Sequence, residues 1–142
     1  MTVGASVEDR LAIQDLFVRY AFALDEGDVE GIVACFAPGA ALESPVLGVQ
    51  AGDAAIRGFA ERFSAFQRKG NQLRHVMTNF AIDVDGDAAR ARCYLVNILT
   101  RDGKTIVGPP GRYDCKLARH GGAWLFQHRL VVLDAPFPLE GL

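Results

Sequence analysis

The chain has 142 residues, half of them hydrophobic, which is enough for one compact domain with a substantial core. Its formal charge of −2 comes with no basic stripe, which argues against nucleic-acid binding, and no run approaches the roughly 18 apolar residues of a bilayer span. The opening MTVGASVEDR carries acids and no apolar stretch, unlike a signal peptide, and the expected location is cytoplasmic. Cys35, Cys93 and Cys115 are odd in number, far apart and set among apolar residues, so buried reduced thiols are expected rather than a disulfide or metal set.

Residues 6–24 repeat apolar side chains at Ile13, Leu16, Phe17, Tyr20 and Leu24, the spacing of one helix face. Ser6 with Asp9 three positions on resembles a capping box, and Gly27 suits the left-handed turn that ends a helix. Residues 28–36 read as a short second helix capped by Asp28 and stopped by Pro38-Gly39. A short strand over 40–43 and a flexible segment over 44–52 follow. Asp53 is expected to cap a third helix that turns Ile56, Phe59, Ala60, Phe63 and Phe66 inward and ends near Gly70.

From Leu73 onward the punctuation changes. Asp85-Gly86, Asp102-Gly103 and Gly121-Gly122 are tight-turn dipeptides, and the long segments between them read as four antiparallel strands joined by hairpins. Ala89, Ala91, Cys93, Leu95, Asn97 and Leu99 share one face; Tyr113, Cys115 and Leu117 share another, opposite Arg112, Asp114 and Lys116. Pro109-Pro110-Gly111 predicts a bulge or bend. Helices followed by a bent antiparallel sheet make an α+β domain, a single one over residues 1–142, with room for a cavity between the layers.

Asp25 is the residue that fits its surroundings least. It falls at the negative end of the first helix, where a carboxylate loses about 0.3–1 kcal/mol. Asp28 can cap the next helix, but Asp25 has no such local use, which marks it as a functional candidate. An acid with an imidazole in reach moves protons without metal or cofactor, and His75 opens the strand-rich half. His75, His120 and His128 lack metal-ligand spacing, and Gly48 and Gly52 flank a loop without phosphate-loop residues. His120 belongs on a hairpin tip. Along the last strand Trp124, Phe126 and His128 alternate against Arg129, which sets Arg129 outward and His128 inward unless a bulge intervenes.

The runs AIQDLFVRYAFALDEGDVEGIVACFAPGA, LRHVMTNFAIDVDGDAARARCYL, GRYDCKLAR and WLFQHRLVVLD resemble the SnoaL-like branch of the nuclear transport factor 2-like proteins. The resemblance implies a cone-shaped α+β barrel, with three N-terminal helices packed on a strongly curved, mainly antiparallel sheet around an apolar pocket. Within that branch the chain is most similar to scytalone dehydratase, bile-acid dehydratase and hexachlorocyclohexane dehydrochlorinase. The resemblance places the catalytic aspartate at Asp25, the histidine at His75 and an assisting tyrosine at Tyr20. It places a substrate-binding arginine at Arg129 and leaves Asn97 in the strand where some dehydratases carry a second polar group.

These positions imply a lyase that needs no cofactor and dehydrates a small hydrophobic substrate. Asp25 would orient His75 as general base, and Tyr20 would assist a developing oxyanion or a departing hydroxyl. Arg129 would either hold a substrate oxygen or neutralise Asp25. A polyketide cyclase or ketosteroid-type isomerase is the alternative enzyme. A non-catalytic small-molecule-binding domain or an oxygenase small subunit is the alternative outside that class, marked by Asp25 tied to Arg129 and His75 turned away. A homo-oligomer, trimer or dimer, is expected, with no membrane or nucleic-acid partner. The apolar tail Ala135-Pro136-Phe137-Pro138-Leu139 is expected to close the pocket or reach a neighbouring subunit.

Overall fold

The computed structural model describes residues 4–136 as an α+β domain whose three helices pack on one face of an open six-stranded sheet. Helix α1 (Val7–Glu26) begins where the Ser6 side chain accepts the Asp9 N–H, at 3.1 Å, and ends where Gly27 takes φ 68°. Its apolar face, from Ile13 to Leu24, is buried as the spacing predicts. Helix α2 (Val29–Val33) is capped by Asp28, which accepts the Gly31 N–H.

The chain then departs from the expected layout. Pro38-Gly39 does not stop a helix; it lies inside strand β1 (Phe36–Ser44), with Gly39 in the left-handed region at φ 70°. Residues 48–51 are not a flexible segment but strand β2 (Gly48–Ala51), paired antiparallel with β1. Helix α3 (Asp53–Arg68) buries Ile56, Phe59, Ala60, Phe63 and Phe66 as predicted. Asp53 does not cap it, because its carboxylate accepts the Gly39 N–H at 3.0 Å and so ties the helix start to β1.

Strands β3 (Gln72–Asp85), β4 (Ala88–Arg101), β5 (Lys104–His120) and β6 (Ala123–Leu133) run antiparallel through three tight turns. Both residues of the Asp102-Gly103 and Gly121-Gly122 turns have positive φ, the geometry that matches strand twist. The sheet order is β2-β1-β6-β5-β4-β3, with the single parallel pairing between β1 and β6. The sheet is not closed.

Three irregularities set which side chains face the helices. Between Thr78 and Ala81 the β3 register shifts, with Asn79 at φ 59°, and Phe80 turns inward to meet Phe17 edge-on at 5.3 Å. Gly108 and Pro109 together face the single residue Asn97, the one-residue bulge expected at the proline pair. In β6 the register shifts between Phe126 and His128, leaving Gln127 extra. The core between the layers centres on Phe17, Tyr20, Phe36 and Phe126, whose rings meet at 5.1–5.6 Å.

Gly111 allows β5 and β6 to approach closely. A Cβ there would sit 2.2 Å from the Val132 carbonyl oxygen and 3.0 Å from the Leu133 Cα, both backbone atoms that cannot swing aside. Gly111→Ala is therefore expected to lower stability by about 1–3 kcal/mol or more, read from the urea midpoint; an unchanged midpoint would contradict this packing.

All three cysteines are buried and free. Burial pushes the Cys35 thiol up to about 11 and those of Cys93 and Cys115 up to about 12, so they remain neutral. Among the described residues no helix is long and apolar enough to cross a membrane, and no group of three or more metal-binding side chains converges. Of the predicted apolar tail, residues 137–139 lie outside the described residues.

Candidate active site

The C-terminal end of α1 is pinned onto the start of β3 by side chains. Gln72 donates to the Asp25 carbonyl at 2.8 Å, and Gln67 of α3 donates to the Leu24 carbonyl at 3.2 Å. The Leu24 carbonyl also accepts the Gly27 N–H at 3.2 Å, and together these donors reduce the partial negative charge of the helix end that Asp25 would otherwise meet. The carboxylate itself accepts the His75 backbone N–H at 3.0 Å through one oxygen and meets His75 Nδ1 at 2.5 Å through the other. Both side chains are almost fully enclosed, His75 at 4 % and Asp25 at 9 % exposure.

This arrangement fixes the imidazole chemically. An ionised carboxylate only accepts, so Nδ1 carries the hydrogen, and in the neutral ring Nε2 holds the free lone pair. His75 lines a small cavity of about 40 Å³ between the sheet and α3. Phe59 and Phe63 form its helix side; Leu95, Asn97, Tyr113 and Arg129 form much of its sheet side. That volume suits little more than a water, so a larger molecule would fit only with displacement of lining side chains such as Phe59, Phe63 or Val46. A larger groove of about 610 Å³ runs past Asp83, Asp85, Arg90 and Lys116 at the hairpin end of the sheet. It is open, so its charges are solvated; the enclosed cavity with the Asp25–His75 pair is the chemically distinctive one.

Arg129 is buried, at 3 % exposure, and faces this cavity. The outward alternation expected of β6 is overturned by the extra Gln127, which reverses the phase after Phe126. His128 is accordingly the residue displaced outward, with Nε2 3.5 Å from Glu43. Arg129 forms no ion pair with Asp25; its guanidinium carbon lies between the rings of Tyr20 and Tyr113, 4.3 and 4.1 Å from their centroids. Its Nε is buried without a hydrogen-bond partner among the described residues.

The remaining expected residues separate. Asn97 stands directly opposite His75 in the β3–β4 ladder and lines the cavity, with its Oδ1 buried and unpartnered among the described residues. Tyr20 does not line the cavity. Its ring packs against Phe36, Phe126 and Arg129, its hydroxyl has no partner among the described residues, and burial pushes its phenol up. His120 is exposed at the end of β5, beside the Gly121-Gly122 turn. Two residues were not singled out as site candidates from the sequence. Gln72 gave no signal, being an ordinary polar residue at a strand start. Tyr113 gave half of one, since its alternation set it inward. Burial pushes its phenol up to about 12 against the pull of the Arg129 charge, so it keeps its proton.

Comparison with known proteins places the geometry in a family. An uncharacterised protein of Mycobacterium tuberculosis is 26% identical over 135 residues, covering 89% of this chain and 86% of that protein. A solved Novosphingobium aromaticivorans protein, whose name proposes an aromatic ring hydroxylase, is 31% identical with a TM-score of 0.80 and 94% of each chain covered. A Catenulispora acidiphila protein solved in complex with S-DNPA is 28% identical with a TM-score of 0.80, covering 91% of this chain and 96% of that one. Residues 5–130 match the profile of the SnoaL-like domain, and the chain belongs to that family, within the nuclear transport factor 2-like superfamily.

Proposed function

We propose that this protein is a cofactor-independent lyase that removes a proton beside a carbonyl of a small hydrophobic substrate and expels a hydroxyl or halide. The observation that carries the reading is the enclosed Asp25–His75 bond, with the same imidazole on the cavity wall. His75 Nε2 takes the proton, and Asp25 stabilises the imidazolium that results. The substrate's electron pair moves onto its carbonyl oxygen, which Arg129 neutralises. As the pair returns, the new C=C bond forms and the bond to the leaving group breaks, a hydroxyl departing as water with the proton that His75 hands back and a halide departing as the anion. The formal charges of Asp25 and Arg129 cancel at rest, so the cavity suits a neutral substrate that becomes anionic only as the proton leaves. Asn97, beside His75, accepts a hydrogen bond from a substrate hydroxyl. Tyr20 acts through its ring, which helps hold Arg129 in place.

One observation favours a second reading. Of the titratable side chains on the cavity wall, Tyr113 is held neutral by burial and Arg129 is a permanent cation, so His75 is the one group suited to both taking and returning a proton. A base that returns its own proton to another carbon is an isomerase or ring-closing cyclase. A panel of β-hydroxy ketones and β-halo ketones separates the readings by product mass. Elimination lowers it by one water or one hydrogen halide; isomerisation leaves it unchanged. Neither product, with no deuterium uptake beside the carbonyl in heavy water, would overturn both.

A further inference from the structure

We propose that Tyr113 and Arg129 form a single two-donor oxyanion site, in which the Tyr113 hydroxyl hydrogen-bonds the same ligand oxygen that Arg129 neutralises. The inference deepens the proton-abstraction reading and rests on it. Arg129 is buried without a carboxylate partner among the described residues, and its flat faces are covered by the rings of Tyr20 and Tyr113. An oxygen can therefore approach only its N–H edge, where Nε already lacks a partner. Of the two rings, Tyr113 alone also lines the cavity.

The phenol's hydrogen is available. The Tyr113 hydroxyl accepts a hydrogen bond from the Arg129 guanidinium, which has no lone pair with which to take the phenol's own hydrogen, so that hydrogen is left for a ligand oxygen. A neutral phenol beside a cation is a stronger donor than a phenol alone, and together they present one point donor and one planar fork. The ligand class follows: a planar carbonyl compound whose oxygen becomes an enolate or phenolate, with its acidic carbon towards His75 and its body between the Phe59–Phe63 pair and Leu95. A carboxylate as the principal anchor is disfavoured, because it would bring a second buried negative charge beside Asp25 before any proton moves.

The probe is 4-nitrophenol, followed by absorbance while the full chain is titrated with it across pH. In the wild type the bound phenol is expected to ionise at lower pH than in free solution. Tyr113→Phe keeps the ring over Arg129 but removes the donor, and should weaken phenolate binding about tenfold or more and return the bound ionisation towards the free value. Tyr94→Phe, on the exposed face of β4, should leave both unchanged. Should Tyr113→Phe fail to fold, wild-type protein labelled with carbon-13 at the tyrosine phenol carbon gives the same answer. The chain holds three tyrosines, and Tyr113's resonance should move most when the probe binds. Wild-type binding by Tyr113→Phe, loss confined to Tyr20→Phe, an unmoved Tyr113 resonance, or no preference for the ionised probe would each overturn the site. None of this requires turnover. Phenolate binding through Tyr113 with no carbonyl chemistry in the substrate panel would sink the lyase reading and leave the oxyanion site standing.

Discussion

His75→Ala is expected to reduce turnover on an identified carbonyl substrate by about 10²–10⁴, the usual worth of a positioned general base. The variant should still fold. Asp25 is held by the backbone N–H of residue 75 as well as by the ring, and alanine retains that N–H. What the substitution removes is the partner of one buried carboxylate oxygen, a loss of about 1–3 kcal/mol. Thermal unfolding and steady-state kinetics on the same preparation separate the two effects. A folded His75→Ala protein with wild-type turnover would end the mechanism, whichever substrate is used.

Arg129→Met is the second large effect, and its two readouts should part company. Breaking an ordinary buried ion pair costs about 3–5 kcal/mol, but Arg129 leaves no orphaned carboxylate behind among the described residues. Its stabilisation comes from two ring contacts, each worth about 2 kcal/mol when desolvated, and a hydrogen bond to the Tyr113 hydroxyl, set against several kcal/mol for burying the charge. These nearly cancel. Methionine fills a similar volume and packs well on aromatic rings, so stability should change by less than about 2 kcal/mol. Turnover should fall about 10²–10³, the usual loss when one stabiliser of a developing oxyanion is removed. A marked loss of stability with turnover retained would make Arg129 a structural residue instead.

Much of the architecture was legible because it rests on local rules. The Ser6 cap, the Gly27 stop, the inward faces of α1 and α3 and the three tight turns all follow from spacing and turn chemistry within a few residues. The misplaced pieces depend on distant partners. Residues 48–51 become a strand only because β1 supplies an edge, and the Asp53 carboxylate turns away from its own helix to accept the N–H of Gly39, fourteen residues back in the chain. At the candidate site, Asp25 stood out because nothing local compensated it; its compensation comes from His75, fifty residues on. Tyr113 was readable as inward but not as a neighbour of Arg129. That proximity depends on the β5–β6 register, in which Cys115 opposes Arg129.

The extra residue at Gln127 reaches further than its own strand. Because two adjacent basic side chains follow it, the phase of the pleat selects which one the cavity receives: the permanently charged guanidinium of Arg129 or the imidazole of His128. A one-residue length change in this segment would exchange the planar donor fork of a guanidinium for an imidazole, while leaving the identity of both side chains intact. The polarity of this cavity is thus set by the length of β6 as much as by the residues that it carries.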